Sequence, residues 1–460
     1  MKVTEDQEKI EKNILVVGLG DSGLATVQWL VTKGASVTVS EQRDKPNFKR
    51  NVIDDLLRKG VKLELGGHKV ETFTNTDLIV VSPGVPLTIE PLVSAKKKGI
   101  PVIGDVELAC RYIKTSIIAV TGTNGKTTVV TLIGYILRKA GKEVFVGGNI
   151  GNPLINYIAG DQKADYVALE VSSYQLDAVK DYFSPLISVI LNVSPDHLDR
   201  YEDYNAYRRS KERIFRNQGL GQGVIINDDD IWLKKLEPVN GVTIYRYGLE
   251  SEKNRNAFID NGCVFVKLPN GDSITVSLNN WTLPGNHNKG NLVAAILVSA
   301  LLKIPLSAIQ LGVDGFHGLP HRIEFVDKYK GVEFYNDSKA TNIDAAIQSI
   351  MSFSSQIVLI AGGRHKGSDY SSLVESAFGR VKVVVLLGEA SDILAESFNT
   401  KIPWIKVKDM DGAVWTAFNE AAEGDVVLLA PACSSFDMFN DYKQRGDSFK
   451  GAVKRLKGNG

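Results

Sequence analysis

Lys126 and Thr127 close a glycine-rich stretch, Thr121-Gly122-Thr123-Asn124-Gly125-Lys126-Thr127, whose residue types suit a chain of phosphates. Glycines let backbone N–H groups approach phosphate oxygens, a lysine reaches the β- and γ-phosphates, and a hydroxyl can serve Mg²⁺. This chemistry needs a strand in front and a helix behind, because a helix N-terminus adds partial positive charge. Ile117-Ile118-Ala119-Val120 reads as that strand, and the pattern from Thr127 to Ala140 reads as that helix. The usual spacing has a further glycine where this chain has Val120. A tight turn ending in a surface lysine is the plainer alternative.

Other side chains could join this chemistry. Glu170 ends the strand-like run from Tyr166 to Leu169, and an acid beside a phosphate loop suits Mg²⁺, a hard cation that prefers oxygen. The next run, Ile187 to Leu191, leads to Asp196-His197, where His197 could be a metal ligand, a hydrogen-bond donor or a structural histidine. Leu283 to Asn291 opens a helix with amide side chains able to read a base or sugar edge. By composition, Tyr207 to Phe215 is an exposed basic helical face with i,i+3 and i,i+4 charge pairs, and Lys211 on it is expected to be solvated.

Near the start, Gly18-Leu19-Gly20-Asp21-Ser22-Gly23 follows the run Ile14 to Val17 and precedes a helical pattern. Glu41 closes the next strand, where a dinucleotide fold places the acid that holds a ribose. Taken alone, this reads as a nicotinamide-dinucleotide turn or as structural glycine packing. Ser82-Pro83-Gly84-Val85-Pro86 ends another strand at the sheet edge where ligands collect. Towards the C-terminus, Asp337, Lys339 and Thr341 follow the run Val332 to Tyr335, and Lys366 sits in a glycine-rich turn after Ile357 to Ile360. Ser434 and Ser435 follow Val426 to Leu429 and could start a helix; together these could hold two carboxylates.

The elements that must position these residues are short apolar runs alternating with helical patterns, which specify α/β domains with mainly parallel sheets. A more β-like patch between Val242 and Leu278 carries the turn signals Asn261-Gly262 and Asn270-Gly271. With 460 residues the chain has room for three domains at roughly 150 residues each. Boundaries are expected near Gly104 and Gly318, giving 1–104, 105–318 and 319–460. A net charge of +1 gives no global attraction to nucleic acid or anionic membranes, so anion sites must be local. Three scattered cysteines form neither a metal spacing nor a disulfide framework, which favours a reducing cytoplasm. The first eleven residues lack a signal-peptide core, and no apolar run is long enough to span a membrane.

In collinear order, the phosphate stretch, Glu170-Val171-Ser172-Ser173, Asp196-His197, Lys211, Asn286-His287-Asn288 and His321-Arg322 resemble the ATP-dependent Mur ligases of peptidoglycan synthesis. Ser82-Pro83-Gly84, Gly104-Asp105-Val106-Glu107-Leu108, Leu319-Pro320-His321-Arg322, Asn336 to Asn342 and Pro431 to Asp437 point to the branch that adds D-glutamate to UDP-N-acetylmuramoyl-L-alanine. The resemblance implies a Rossmann-like N-terminal domain, a central P-loop ATPase-like domain and a Rossmann-like C-terminal domain. It reassigns the first glycine turn from NAD to the UDP end of the substrate.

Asp21, Ser22, Gln42, Arg43, Ser82 and Gly84 would then face uracil and diphosphate, with Asn149, Ser172 and Gln175 also on this substrate. Gly122, Thr123, Asn124, Gly125, Lys126, Thr127, Thr128, Asn288, Asn291, Arg322 and Asp337 would bind ATP. Thr341, Lys366, Ser435 and Tyr442 would bind D-glutamate, although Tyr442 stands where the family often has Phe. Two Mg²⁺ sites are implied, one at Thr127 and Glu170 and one at His197 and a carbamylated Lys211. Lys126, His197 and Lys211 would be the catalytic set. The implied reaction forms an amide through an acyl phosphate, with no protein nucleophile and no nucleic acid or membrane partner, in a cytoplasmic monomer. A nicotinamide-dependent dehydrogenase, a sibling ligase for another amino acid and a nucleotide-binding switch are the alternatives.

Overall fold

The computed structural model describes residues 12–45, 48–149, 151–195, 200–237, 241–365, 367, 369–399 and 401–458. Three sheets organise them. The first has strands β1 (Asn13–Val17), β2 (Ser36–Glu41), β3 (Lys62–Leu65), β4 (Leu78–Val81) and β5 (Val102–Gly104), all parallel in the order β3-β2-β1-β4-β5. β1 and β4 are continuous apolar runs because a parallel sheet buries both faces. The order reverses between them, so the turns after Val17 and Val81 meet at the switch point where such sheets bind ligands.

The second sheet has nine strands: β6 (Ser116–Thr121), β7 (Val144–Gly148), β8 (Tyr166–Glu170), β9 (Ile187–Ile190), β10 (Gly223–Asn227), β11 (Thr243–Tyr247), β12 (Ala257–Asp260), β13 (Cys263–Lys267) and β14 (Ser273–Ser277). Their order is β14-β13-β12-β11-β10-β9-β6-β8-β7. Strands β6 to β12 pair in parallel, whereas β12, β13 and β14 form antiparallel hairpins. The first hairpin turns at Asn261-Gly262 with φ of 45° and 71°, the left-handed pair that a two-residue turn requires. Since β6 lies between β8 and β9, the ends of these three strands share one edge.

The third sheet has β15 (Glu324–Tyr329), β16 (Val332–Asn336), β17 (Ile357–Gly362), β18 (Val381–Leu387), β19 (Trp404–Lys406) and β20 (Val426–Ala432), ordered β15-β16-β20-β17-β18-β19. All pairs are parallel except β15 with β16. β20 sits between β16 and β17, so the three loops expected to carry chemistry leave neighbouring strands.

Compactness divides the chain differently from the expected 1–104, 105–318 and 319–460. One compact unit runs through Asn279 and includes Asn291–Asp314, and the other joins Asn280–Gly290 to the chain from Gly315 onward. The first two sheets share a unit because one apolar cluster continues from Ile14, Trp29 and Leu78 through Val106 and Leu108 to Leu154, Tyr157 and Ile117. Trp29 meets Tyr112 edge-on at 4.9 Å within this cluster. Two separate clusters line the faces of the third sheet. Among the described residues no helix is long and apolar enough to cross a membrane.

Candidate active site

The phosphate stretch is strand, loop and helix, as its sequence requires. β6 ends at Thr121, and helix Lys126–Lys139 starts directly after Gly125. Gly125 caps the helix with φ of +87°, and a Cβ there would collide with Asn291 Oδ1. Only glycine fits this position without strain. Asn192, after β9, clamps the loop from below: its carbonyl accepts from Thr123 N at 3.0 Å. Its Oδ1 accepts from Asn124 N at 2.9 Å, and its Nδ2 donates to Asn124 O at 3.1 Å. Lys126 bends back so that Nζ donates to the carbonyls of Gly122 at 2.7 Å and Thr123 at 2.8 Å.

Two oxygen donors meet beside the loop. Thr127 Oγ1 donates to Glu170 Oε2 at 2.7 Å, and Asn149 Nδ2 donates to Glu170 Oε1 at 3.2 Å. Glu170 is buried at the tip of β8. Among the described residues no three His, Cys, Asp or Glu side chains gather. A hydroxyl with one carboxylate nevertheless suits Mg²⁺, which commonly takes one or two protein carboxylates and fills its octahedron with phosphate and water.

Lys211 corrects the compositional expectation of a solvated lysine. It is 1% exposed, and its Nζ donates to Gly122 O at 2.9 Å while lying 4.5 Å from the Tyr207 ring centre. Helix Tyr204–Glu212 turns Tyr207, Ser210 and Lys211 inward, an i, i+3, i+4 stripe, and pairs Arg208 with Glu212 outside at 3.4 Å. Tyr207 OH in turn meets Thr123 Oγ1 at 3.1 Å. Lys126 and Lys211 thus share the Gly122 carbonyl. Asp196 and His197 lie outside the described residues, so the expected pairing of His197 with Lys211 rests on sequence alone.

At the first sheet, Gly23 packs so closely that a Cβ would overlap Gly18 O, which is the helix–strand approach the motif provides. The expected ribose acid is otherwise engaged. Glu41 Oε2 accepts from Leu19 N at 2.6 Å, and Oε1 accepts from Arg43 N at 3.0 Å and Nε at 3.1 Å. Burial pushes the Glu41 carboxyl up, but the Arg43 and Leu19 donors outweigh it and hold it below its usual range. An acid committed to the turn itself is a poor ribose acceptor, which removes the main support for a nicotinamide site. Arg43 packs its guanidinium over Phe48 at 4.6 Å. Ser82 Oγ donates to Gly18 O at 3.0 Å, and Ser22 Oγ donates to Asp105 Oδ2. Asp21 and Gln42 are exposed at this edge. Ser172 caps helix Ser173–Asp177 reciprocally with Gln175.

In the second unit, the ends of the neighbouring strands β16 and β20 bring Asp337, Thr341 and Ser435 to one sheet edge. Asp337 accepts from Ser349 Oγ, and burial pushes its carboxyl up to about 6 despite that bond and the nearby Arg322 guanidinium. Ser434 and Ser435 do not start a helix: Phe439 N donates to Ser435 O at 2.9 Å in a turn, and the helix begins at Tyr442. Ala432, which ends β20 two residues before Ser434, has φ of +57°. Lys339 Nζ lies 4.2 Å from the Tyr442 ring centre. Asn288 belongs to this unit, with Nδ2 donating to Pro284 O at 2.8 Å, whereas Asn291 belongs to the other. Lys366 lies outside the described residues.

Sequence reasoning missed Arg445. Fully buried, it donates to Ser338 Oγ at 2.9 Å, Ser338 O at 2.8 Å and Cys433 O at 3.1 Å, so it ties the β16 and β20 loops together. Its desolvation lowers the guanidinium to about 10. A helical Arg among polar neighbours carries no signal that its partners will be carbonyls on two other loops, one 12 and one 107 residues away.

Family models match most of the chain: a MurD-like N-terminal domain of Mur ligases over 12–104, a Mur ligase middle domain over 120–299, and a Mur ligase glutamate ligase domain over 321–433. The chain belongs to the Mur ligase family. It is 43% identical over 454 residues to the UDP-N-acetylmuramoylalanine–D-glutamate ligase of Desulfosudis oleivorans, covering 98% of both chains. It is 42% identical over 450 residues to the enzyme of that name from Acidobacterium capsulatum, covering 97% of both. Among solved structures, a pseudomurein peptide ligase type C from Methanothermus fervidus superposes with TM-score 0.61 at 18% identity, over 97% of this chain and 100% of that one. A MurF ligase from Thermotoga maritima solved with ADP gives 0.59 at 17%, over 98% and 97%. These two likenesses concern the fold. Mur ligases are ATP-dependent ligases, and the three α/β sheets with mainly parallel strands are the fold class expected for this chain.

Proposed function

We propose that this chain joins the carboxylate of UDP-N-acetylmuramoyl-L-alanine to the amine of D-glutamate, with ATP becoming ADP and phosphate, as a cytoplasmic monomer in peptidoglycan precursor synthesis. The observation that carries this reading is the Thr127–Glu170 contact beside Lys126, a hydroxyl, a buried acid and a cation set round one glycine loop. Identity above 40% to two relatives named for that reaction supports the choice of amino acid. The domains would divide the work: 1–104 for the UDP substrate, 105–318 for ATP and 319–460 for the amino acid.

Two anions must first meet, a carboxylate and a triphosphate. Gly122, Thr123, Asn124, Gly125 and Thr128 would cradle the phosphates, and Lys126 would leave its loop carbonyls for phosphate oxygens, offsetting charge on the moving phosphoryl group. Asn288, Asn291, Arg322 and Asp337 would hold the rest of ATP. Thr127 with Glu170, and His197 with Lys211, would hold Mg²⁺, which when bound neutralises charge and aligns the phosphates. Carbamylation, in which the neutral Lys211 amine adds CO₂ and releases a proton, would turn a buried ammonium into an oxygen ligand. The substrate carboxylate takes the phosphoryl group, the amine attacks the acyl carbon, and phosphate leaves with the carboxylate's former oxygen. Thr341, Lys366, Ser435 and Tyr442 would orient D-glutamate for that attack. Asp21, Ser22, Gln42, Arg43, Ser82 and Gly84, with Asn149, Ser172 and Gln175, would hold the UDP substrate. The deciding experiment measures ADP release with UDP-N-acetylmuramoyl-L-alanine and D-glutamate, L-lysine, meso-diaminopimelate or L-alanine. Release is expected with D-glutamate alone, and release with another amino acid instead overturns the assignment.

A further inference from the structure

The segment Gly104-Asp105-Val106-Glu107-Leu108 stands out in the sequence, yet the reaction above leaves it without a task. In the structure it joins the first two sheets. Gly104 N donates to Ala178 O at 2.9 Å, and a Cβ on Gly104 would press on the Ala178 side chain at 2.9 Å. Glu107 is fully buried and its carboxylate accepts three consecutive main-chain N–H groups, from Asp181 at 2.8 Å, Tyr182 at 2.9 Å and Phe183 at 3.2 Å. Such a nest accounts for Glu107 as structure.

Asp105 is different. It is 3% exposed, and its two oxygens look in two directions. Oδ2 accepts from Ser22 Oγ, the hydroxyl in the first turn of helix Asp21–Thr32, directly after the glycine turn. The Gln175 amide acts on the same carboxyl from helix Ser173–Asp177, while Gln175 Oε1 is used in capping Ser172. Oδ1 has no aligned hydrogen-bond partner among the described residues. The main-chain N–H groups of Val106 and Asp105 also act on this carboxyl, and a buried oxygen with no aligned donor is costly enough to call for an explanation. Burial pushes this carboxyl up, against the pull of Ser22.

A second tie runs across the same joint. Arg200, stacked 3.8 Å over Tyr174, donates to the carbonyls of Gly84 at 3.3 Å and Val85 at 2.9 Å. The turn after β4 is therefore held by Arg200 from beyond β9, and the turn after β1 by Asp105 in the segment that joins the two sheets. Arg200 and the shared apolar cluster keep the two sheets together without Asp105, which leaves that carboxyl free for a local task.

We propose that Asp105 is a positioning residue for the uridine-nucleotide substrate, setting Ser22 of the glycine turn in register with Gln175 beside the second sheet. The inference rests on the reading of that turn as the uridine-nucleotide site. Asp105 does not touch substrate; it fixes the rotamer of one residue that does and the amide of another.

Asp105→Asn tests it, because the amide keeps the volume but places a donor where the carboxylate only accepts. Loss of a hydrogen bond to a charged group predicts a rise in KM for UDP-N-acetylmuramoyl-L-alanine of about tenfold. kcat and KM for ATP and D-glutamate should stay within about twofold. UDP titrated calorimetrically should lose affinity by the same factor. Asp105→Glu, which moves the carboxylate by one methylene, should give the same split and serves if the amide variant is insoluble. Ser22→Ala should raise the same KM, and adding it to Asp105→Asn should cost less than the sum of the two single effects. An unchanged KM for the UDP substrate, a matching rise in KM for ATP, or additive single effects would each overturn the proposal. Normal KM in Ser22→Ala would remove the reading of the glycine turn itself, whereas an impaired Ser22→Ala beside a normal Asp105→Asn removes this inference alone.

Discussion

The glycine turn of the first sheet and the phosphate loop of the second are built on one plan. Each follows a buried parallel strand, each caps a helix with glycine, Gly20 or Gly125, and each places a hydroxyl second in the helix, Ser22 or Thr127. Both hydroxyls donate to a buried carboxyl group on a neighbouring element, Asp105 or Glu170. The first helical residue separates them: exposed Asp21 in one and Lys126 in the other. The neighbouring main chain differs as well, since Glu41 already occupies Leu19 N–H whereas Asn192 braces the second loop with a neutral amide. Backbone geometry makes an anion site at both, and a single residue of opposite charge decides how much anion it takes.

Removing the distinguishing cation should have the largest effect. Lys126→Ala is expected to lower kcat for ADP release about 10³-fold with the fold intact, the scale seen when one preorganised donor to a developing charge is lost. Turnover within a few-fold of wild type would mean the two turns are equivalent. The caps come next. Gly125→Ala meets both the positive φ and Asn291, so strain of about 2 kcal/mol should weaken ATP binding roughly thirtyfold in a fluorescent-nucleotide titration. Gly20→Ala, with φ of −77° and open space around it, should be silent for the UDP substrate. Equal losses at both caps would break the comparison.

A smaller effect is expected at the metal ligand. Glu170→Gln keeps an oxygen for Thr127 but loses the charge, so half-saturation by Mg²⁺ should rise about tenfold and activity should recover at high Mg²⁺. No change in the Mg²⁺ titration would exclude Glu170 as a ligand. The smallest effect belongs to Glu41. Its carboxyl ionises at lower pH folded than unfolded, so its stabilisation is complete above pH 4.5 and lost as pH falls through the folded value. Melting midpoints of Glu41→Gln should therefore decline less steeply between pH 5 and pH 3 than those of the wild type, on the usual carboxylate scale of about 4. Parallel curves would show that the Arg43 and Leu19 contacts to this carboxylate add nothing.

Apolar runs made most of the parallel strands legible, because strands buried on both faces have little room for polar residues. Lys62–Leu65 and Glu324–Tyr329 were not, since strands interspersed with charged residues resemble surface loops until their partners are known. The phosphate loop could be read because backbone approach demands glycine at fixed positions. Lys211 could not be read from its composition, which counts lysine as polar, whereas its burial depends on Gly122 and Tyr207, one of them far away in the chain. Asp105 was visible as part of a motif, but its partners come from both sides of it, 83 residues before at Ser22 and at Gln175 downstream. Long-range polar pairing has no period, and periodicity is what sequence reading uses.

The inward fold of Lys126 onto the Gly122 and Thr123 carbonyls gives the resting loop a threshold. A lone monovalent ion from the surrounding solution offers too little to coax the ammonium off two good acceptors. A polyanion presenting several oxygens together can replace both acceptors in one event. Resting self-occupancy thus works as a filter, keeping the cradle closed to common salts and opening it to a triphosphate.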